Sequence, residues 1–361
     1  MNAASRVQTW IDERLNLDEA LSPLREKTVP VHRYSSWYFL GGLTLFLFLV
    51  QLFTGVLLLL YYHASAGEAF ESVQNITNRV QFGWLIRSLH SWSANLMVFC
   101  AFAHMFSVAL ARAYRKPREL TWISGVILLF LVLGFGFSGY LLPWNTRAYF
   151  ATKVGTEVAG QVPVVGRAIM IFMRGGEDVS GATLTRFFGL HVAVLPALAI
   201  GMLISHLLLV QKFGTSVPVS VEKEWDENPE RRKEMRFFPN FFLRELIGWY
   251  IALAVLVVLA VFFPWELGTK ADPFSPAPPG IKPEWYFLAQ FQTLKLLPAH
   301  ILHLDGELLG ILGFGLGGAL WLGLPFIEVF AGARRVRWVK IGILFVLIYL
   351  AGMSVVGYVA R

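Results

Sequence analysis

Residues 84–110 read WLIRSLHSWSANLMVFCAFAHMFSVAL, and residues 184–210 read LTRFFGLHVAVLPALAIGMLISHLLLV. Each stretch is longer than the roughly 20 apolar residues that a helix needs to cross a bilayer. Each also carries two histidines. Five further apolar runs, at 36–62, 121–142, 243–264, 306–330 and 338–358, have similar length. They are continuous and do not alternate with period two, which excludes a membrane β-barrel. The chain is 56% hydrophobic and 15% charged, against roughly 45–50% and 25% in an average soluble domain. The expected fold is therefore an all-α integral membrane protein with seven transmembrane helices, a four-helix bundle followed by three.

Residues 1–35 are mixed-charge and polar (Asp12, Glu13, Arg14, Arg25, Glu26, Lys27) without an apolar stretch after a basic start. They read as a cytoplasmic surface segment and not as a cleaved signal. Residues 36–212 are expected to hold the first four helices and 213–361 the last three. The net charge of +7 does not indicate nucleic acid, because the basic residues cluster in particular loops. Arg112, Arg115, Lys116 and Arg118 follow the second run. Lys212, Lys223, Arg231, Arg232, Lys233 and Arg236 follow the fourth, and Arg334, Arg335, Arg337 and Lys340 the sixth. The positive-inside rule places these three alternate loops, and with them the N-terminus, in the cytoplasm and the C-terminus outside. Between the third and fourth runs, a short interfacial helix is expected over Val164 to Met173, after Pro163. The fifth connection holds Pro264, Pro273, Pro276, Pro278, Pro279 and Pro283, a density that prevents a regular helix and gives a shaped loop. The single cysteine, Cys100, leaves no Cys-based metal or disulfide framework.

The histidines carry the chemistry. His90 and His104 lie fourteen residues apart in the second run, and His191 and His206 fifteen apart in the fourth. Fourteen residues are close to four helical turns; fifteen is slightly out of phase, within what a lateral ring can absorb. Both runs cross in the same direction, so the four imidazoles form two pairs at depths separated by about 21 Å. Two imidazole nitrogens per level suit a six-coordinate electron-transfer haem. Any one of these histidines alone reads equally well as a satisfied polar residue at a helix contact, but the matched set is a poor coincidence. Zinc is disfavoured because nothing completes a four-ligand site at either level.

Gly41 and Gly55 in the first run, and Gly125 and Gly139 in the third, repeat the fourteen-residue interval at matching depths. A missing side chain lets a helix backbone approach a flat macrocycle; ordinary glycine-mediated helix packing is the competing account. After the prolines comes Pro283-Glu284-Trp285-Tyr286. A carboxylate in a rigid aromatic loop is a candidate proton acceptor, and an interfacial aromatic belt explains the same residues as well.

The four histidines, the glycine pairs, Gly139-Tyr140-Leu141-Leu142-Pro143-Trp144 and Pro-Glu-Trp-Tyr together resemble cytochrome b of quinol–cytochrome c reductases, from about Tyr34 to Tyr358. The longer His191–His206 spacing, the end after a seventh helix, and the segments FGWLIRS (82–88) and KPRELTW (116–122) are most similar to the photosynthetic plastoquinol–plastocyanin type. In that type a four-helix cytochrome and a three-helix subunit are separate; here they would be fused through about 213–242. The resemblance implies two noncovalent b-type haems, the outer one held by His90 and His191 and the inner by His104 and His206. Phe39 stands where that type has the cysteine that holds an additional c-type haem, so no covalent haem is expected. The outer quinol pocket implied by the resemblance uses Glu284 and Tyr286, with Pro283, Tyr140, Trp144 and Ala151 around it. Glu245 and Gln211 stand at the inner quinone site, and Arg87 toward an outer haem propionate.

The implied activity is that of a quinol–cytochrome c oxidoreductase in the respiratory chain. One electron passes to a Rieske iron–sulfur protein and a c-type cytochrome. The other crosses the membrane through the two haems to a quinone at the cytoplasmic face, coupled to proton translocation. A homodimeric complex in the lipid of the inner (cytoplasmic) membrane is implied as well. Two rival readings are a di-haem membrane anchor of a dehydrogenase, which leaves the Pro-Glu-Trp-Tyr loop and three helices unexplained, and a proton-coupled transporter, for which no inverted repeat is evident.

Overall fold

The computed structural model describes residues 3–16, 26–331 and 336–360; Arg25, Arg334 and Arg335, cited above for charge placement, lie outside them. An N-terminal helix α1 (Ala3–Leu15) precedes strand β1 (Thr28–Val31). The first four crossings are α2 (Phe39–Leu59), α4 (Gly83–Ala111), α5 (Glu119–Leu141) and α8 (Gly181–Phe213), with α3 (Ala69–Asn78) between the first two. Two helices, α6 (Thr146–Gly160) and α7 (Gly166–Arg174), fill the connection before α8. Helix α7 occupies the place foreseen at 164–173. Helix α6 was not foreseen; Asn145 caps it by accepting from the Ala148 N–H at 2.8 Å.

The C-terminal region begins with α9 (Val219–Glu227) and strand β2 (Lys233–Arg236), which pairs antiparallel with β1 in the register Thr28 opposite Arg236. The fifth crossing is α10 (Phe242–Phe262). The loop over 263–284 is free of helix up to its last proline, and α11 (Trp285–Leu296) starts immediately after Glu284. This helix was missed because its twelve residues include Gln290, Gln292, Thr293 and Lys295 and give no apolar run. A small hairpin (β3, His300–Ile301; β4, Leu304–Asp305) leads to the sixth run. That run is not one straight span: α12 (Gly306–Leu322) and α13 (Leu324–Ala331) meet at a 72° bend. The break falls at Gly323, two residues before Pro325, which has no N–H to continue the ladder. Helix α14 (Val336–Val359) is the last crossing. Six helices are thus long and apolar enough to span, or seven with the bent pair.

Helix α2 packs along α4, and α8 along α5, whereas α4 and α8, the two histidine-bearing helices, scarcely touch. Polar contacts sort the connections to two ends. At one, Arg115 pairs with Glu222 (2.8 Å), Arg118 donates to the Phe213 carbonyl (3.0 Å) and β1 meets β2. At the other, Arg87 donates to the Trp265 carbonyl (2.6 Å), Asn145 to that of Leu267 (2.8 Å), and Lys270 pairs with Glu71 (2.6 Å).

The bent helix pair is pinned by a buried cluster. Arg112, at the C-terminus of α4, grips both carboxylate oxygens of Glu328 on α13, and the Tyr114 hydroxyl donates to the same carboxylate at 2.6 Å. The two charged side chains are 14% and 8% exposed. Removing one member of such a pair strands the other charge, typically at a cost of about 3–5 kcal/mol. Glu328→Leu should therefore lower the thermal midpoint of the purified protein in detergent, and the double variant Glu328→Leu/Arg112→Met should recover much of the loss. Equal midpoints for the single and double variants would show that the pair is not what holds the bend.

Candidate functional site: two histidine levels and an adjoining cavity

The fifteen-residue interval on α8 is resolved by its backbone. Residues Leu190–Val194 form a single π turn, with the Leu195 N–H donating to the Leu190 carbonyl. A π turn inserts one extra residue into a helix, so the phase from His191 to His206 matches the fourteen-residue phase of His90 and His104. Pro196 lies just beyond it and cannot donate, which favours the longer turn.

His90 and His191 then face one another across the gap between α4 and α8, with ring centres 6.5 Å apart. An imidazole nitrogen sits about 2.0 Å from a bound transition metal, so two rings on opposite sides of one iron are about 6 Å apart, centre to centre. The spacing fits axial ligation of a haem. Among the described residues, no group of three or more His, Cys, Asp or Glu side chains is placed to hold a metal ion by itself. The donor chemistry is that of paired imidazoles.

The glycines do something more specific than make room for a macrocycle. Each lies against an imidazole: Gly55 against His90, Gly139 against His191, Gly41 against His104 and Gly125 against His206. A Cβ on Gly139 would fall 2.6 Å from His191 Cε1, an overlap, whereas one on Gly55 would stand 3.4 Å from His90 Cε1. The helices α2 and α5 thus seat the rings that α4 and α8 project.

Sequence reasoning missed the hydroxyls that accompany them. The oxygens of Thr54, Ser138 and Ser124 lie 2.8, 3.0 and 2.8 Å from Nδ1 of His90, His191 and His206. Each hydroxyl spends its proton on a carbonyl of its own helix: Thr54 on Val50, Ser138 on Gly134, Ser124 on Thr121. The oxygen is left to accept from Nδ1–H, which leaves Nε2 unprotonated and available as a metal ligand. The signal was present as the dipeptides Thr54-Gly55, Ser124-Gly125 and Ser138-Gly139.

A cavity of about 660 Å³ opens from the His90–His191 level and is also lined by Tyr140, Arg147, Glu284 and Tyr286. Glu284 is the N-terminal cap residue of α11, but its carboxylate does not cap the helix. Burial pushes its pKa above the ordinary carboxylate value, and the nearby Arg147 charge partly offsets that. Tyr286 reaches α5 at Gly136, where a Cβ would stand 2.6 Å from its hydroxyl; burial and the Glu284 charge push that phenol upward. Trp285 donates to Asn95 Oδ1 on α4 at 2.8 Å, tying the loop to the His90 helix. Asn95, Gly136 and Arg147 had no signature in the sequence, since their roles depend on which helices meet.

Other expected site residues fall elsewhere. Trp144 does not line the cavity: it is 2% exposed and packs with Leu141, Tyr149 and Phe187 in an apolar cluster. Ala151 and Pro283 are also outside the lining. Arg87 lines the cavity but directs its guanidinium at the Trp265 and Glu266 carbonyls, anchoring the loop. At the His104 end, the Glu245 carboxylate lies against Gly42, next to the glycine that faces His104, and its Oε2 is buried without a partner. Gln211 is exposed, and its amide oxygen is taken by Lys27 Nζ at 2.7 Å. Phe39 stacks on Phe241 of the segment leading into α10, with ring centres 5.0 Å apart and planes 9° from parallel.

Fold and site together define a haem-binding, multi-pass membrane protein of electron transport. The family model for cytochrome b/b6/petB matches residues 24–214, and that for cytochrome b(C-terminal)/b6/petD matches residues 270–361. A cytochrome bc complex cytochrome b subunit of Chlorobaculum thiosulfatiphilum is 51% identical over 324 residues, which are 89% of this chain and 73% of that protein. A cytochrome b6 of Heliobacterium mobile is 46% identical over 211 residues, 58% of this chain and 99% of that one. A solved structure described as hyperthermophilic respiratory Complex III superposes with a TM-score of 0.85 at 30% identity, covering 98% of this chain and 91% of the other. The chain belongs to the cytochrome b/b6 family, as the cytochrome b subunit of a bc/b6f-type complex with both family regions on one polypeptide.

The unequal clearances at the glycines give a direct test. Gly139→Ala should lower the haem-to-protein ratio of the purified subunit in a pyridine haemochrome assay, while Gly55→Ala keeps the wild-type ratio. Full haem in the Gly139 variant would mean that the His191 ring is not held by contact with α5.

Proposed function

We propose that this subunit oxidises quinol in the cavity beside Glu284. One electron leaves to a Rieske iron–sulfur protein and on to a c-type cytochrome. The other crosses the bundle by two noncovalent b-type haems to a quinone at the opposite face. The observation that carries this reading is the shared cavity: one space is lined by a facing histidine pair, at haem-ligand spacing, and by a carboxylate and a phenol. A haem bound between such imidazoles supplies one-electron chemistry; the protein supplies position and proton handling.

Quinol oxidation releases two protons with its two electrons. Glu284, uncommitted to its helix terminus, is the group that accepts one of them. Tyr286, held by its neighbours at Gly136, orients the substrate hydroxyl. Arg147 keeps the carboxyl from being pushed further toward its neutral form. At the other face, Glu245 beside the His104 level is the candidate proton donor to a quinone; Gln211, engaged by Lys27, is the weaker partner there. The gathering of Arg115 and Arg118 with the 213–242 connection at one end supports a cytoplasmic location for that end, by the positive-inside rule. The Glu284 cavity then opens on the outer side of the inner membrane. Moving an electron from one level to the other works against about 2.3 kcal/mol per 100 mV across the full membrane, which is how the reaction is coupled to proton translocation. A homodimer of the complex, embedded in lipid, completes the reading.

Glu284→Gln keeps size but removes the proton acceptor. Quinol-dependent reduction of the c-type acceptor should fall by an order of magnitude or more, within the roughly 10²–10⁴-fold worth of general base catalysis, with haem spectra unchanged. The sign of the pH effect follows from burial. A base must be ionised to act, so wild-type activity falls as pH drops through the raised Glu284 pKa. Arg147→Met should move that limb to higher pH. A wild-type rate for Glu284→Gln at every pH, with both haems present, removes Glu284 from the mechanism.

Because Phe39 offers no thiol and is committed to Phe241, acid–acetone extraction should remove all haem from the polypeptide. Haem that migrates with the chain in denaturing electrophoresis would contradict noncovalent binding.

A further inference from the structure

The four histidine seats are not equivalent. Thr54-Gly55, Ser124-Gly125 and Ser138-Gly139 each offer a hydroxyl oxygen to the Nδ1 of the facing histidine. The fourth seat is Leu40-Gly41, and Nδ1 of His104 is buried with no hydrogen-bond partner. The contrast is sharpest along α2, where one helix presents a hydroxyl to His90 and, fourteen residues earlier, a hydrocarbon side chain at the matching position before His104.

We propose that Thr54 and Leu40 are positioning residues that set the reduction potentials of the two haem levels differently, by granting and withholding an acceptor for the ligand's Nδ1–H. The inference rests on the reading above, that the paired histidines ligate haem. An Nδ1–H that donates to oxygen raises electron density at Nε2 and makes the ring a stronger donor to the metal. A stronger donor favours ferric over ferrous iron and lowers the potential, since second-shell hydrogen bonding is one of the levers a protein has on haem. Both ligands at the His90–His191 level have an acceptor. At the His104–His206 level only His206 has one, so His104 is the weakest donor of the four. The Thr54 hydroxyl also fixes the tautomer: its proton is held by the Val50 carbonyl at 2.6 Å, leaving it only an accepting role toward His90.

The test is potentiometry of the purified complex, following each haem by its visible spectrum. Thr54→Val keeps the branched shape and removes the oxygen. It should raise the potential of the His90–His191 haem by about tenfold in the reduction equilibrium, or ~59 mV for one electron, and leave the other haem unmoved. Thr54→Ser should restore the wild-type value, which lost packing alone would not do. Leu40→Thr, which adds an acceptor, should lower the potential of the His104–His206 haem only. Loss of the His90–His191 haem in Thr54→Val would overturn the proposal, since the hydroxyl would then be needed to hold the haem and not to set its potential. Wild-type potentials in both Thr54→Val and Leu40→Thr, at full haem content, overturn the proposal, as does an equal shift at both levels. Wild-type protein without haem would instead overturn the reading on which it rests.

Discussion

Facing imidazoles across a gap between two helices impose the constraint that organises this molecule. The rings of His90 and His191 must project from α4 and α8 toward one another and not into lipid, and α4 and α8 must stay apart to leave the space. Nothing within the membrane core offers water to an unused ring nitrogen, so its satisfaction has to come from neighbouring side chains. Helices α2 and α5 meet both demands. They back the rings with glycine, and at three of the four seats they supply a hydroxyl whose proton is already committed. Even the π turn on α8 serves the same end, since it brings His191 into the phase that a regular helix with fifteen-residue spacing would miss.

Helix α4 carries this constraint to both surfaces. Along its length it projects His90 and His104, and it also holds the C-terminal region through Ser88 to the Ala260 carbonyl, Trp92 to that of Phe263, and Asn95 to Trp285. At its far end Arg112 grips Glu328 on the bent pair. The loop that carries Glu284 is therefore referenced to the same rod that positions the histidines. A rigid helix shared by both keeps the Glu284 carboxylate and the histidine pair at a fixed separation along the cavity they line.

The loop itself shows why prolines recur there. The segment over 263–284 runs without helix between two helices and lays Arg87, Asn145 and Lys270 against backbone or carboxylate partners. Proline restricts the unfolded chain and supplies no N–H to leave unpaired. The helix that follows starts at the first residue free to propagate one, which leaves Glu284 at the boundary, oriented by α11 yet not consumed by capping it.

What the sequence determined by itself were the features with a period or a composition. Seven apolar runs, the loop charges, the paired histidines and the matching glycines all repeat at intervals set by helix geometry, so they are legible without knowing which helices touch. The short polar helices α6 and α11 escaped, because tertiary packing and not an apolar run stabilises them. The bend at Gly323 was written in Gly323 and Pro325 but was masked by an unbroken run of apolar residues. Tertiary structure alone decided that Trp144 turns into a buried cluster and not toward the cavity, and that Gln211 is taken by Lys27. It also decided that Gly136 lies under the Tyr286 hydroxyl and that Arg147 shares a cavity with Glu284. These are pairings between residues far apart in the chain. Periodicity fixes which way a side chain leaves its own helix, but only the packing of helix on helix fixes what it meets there.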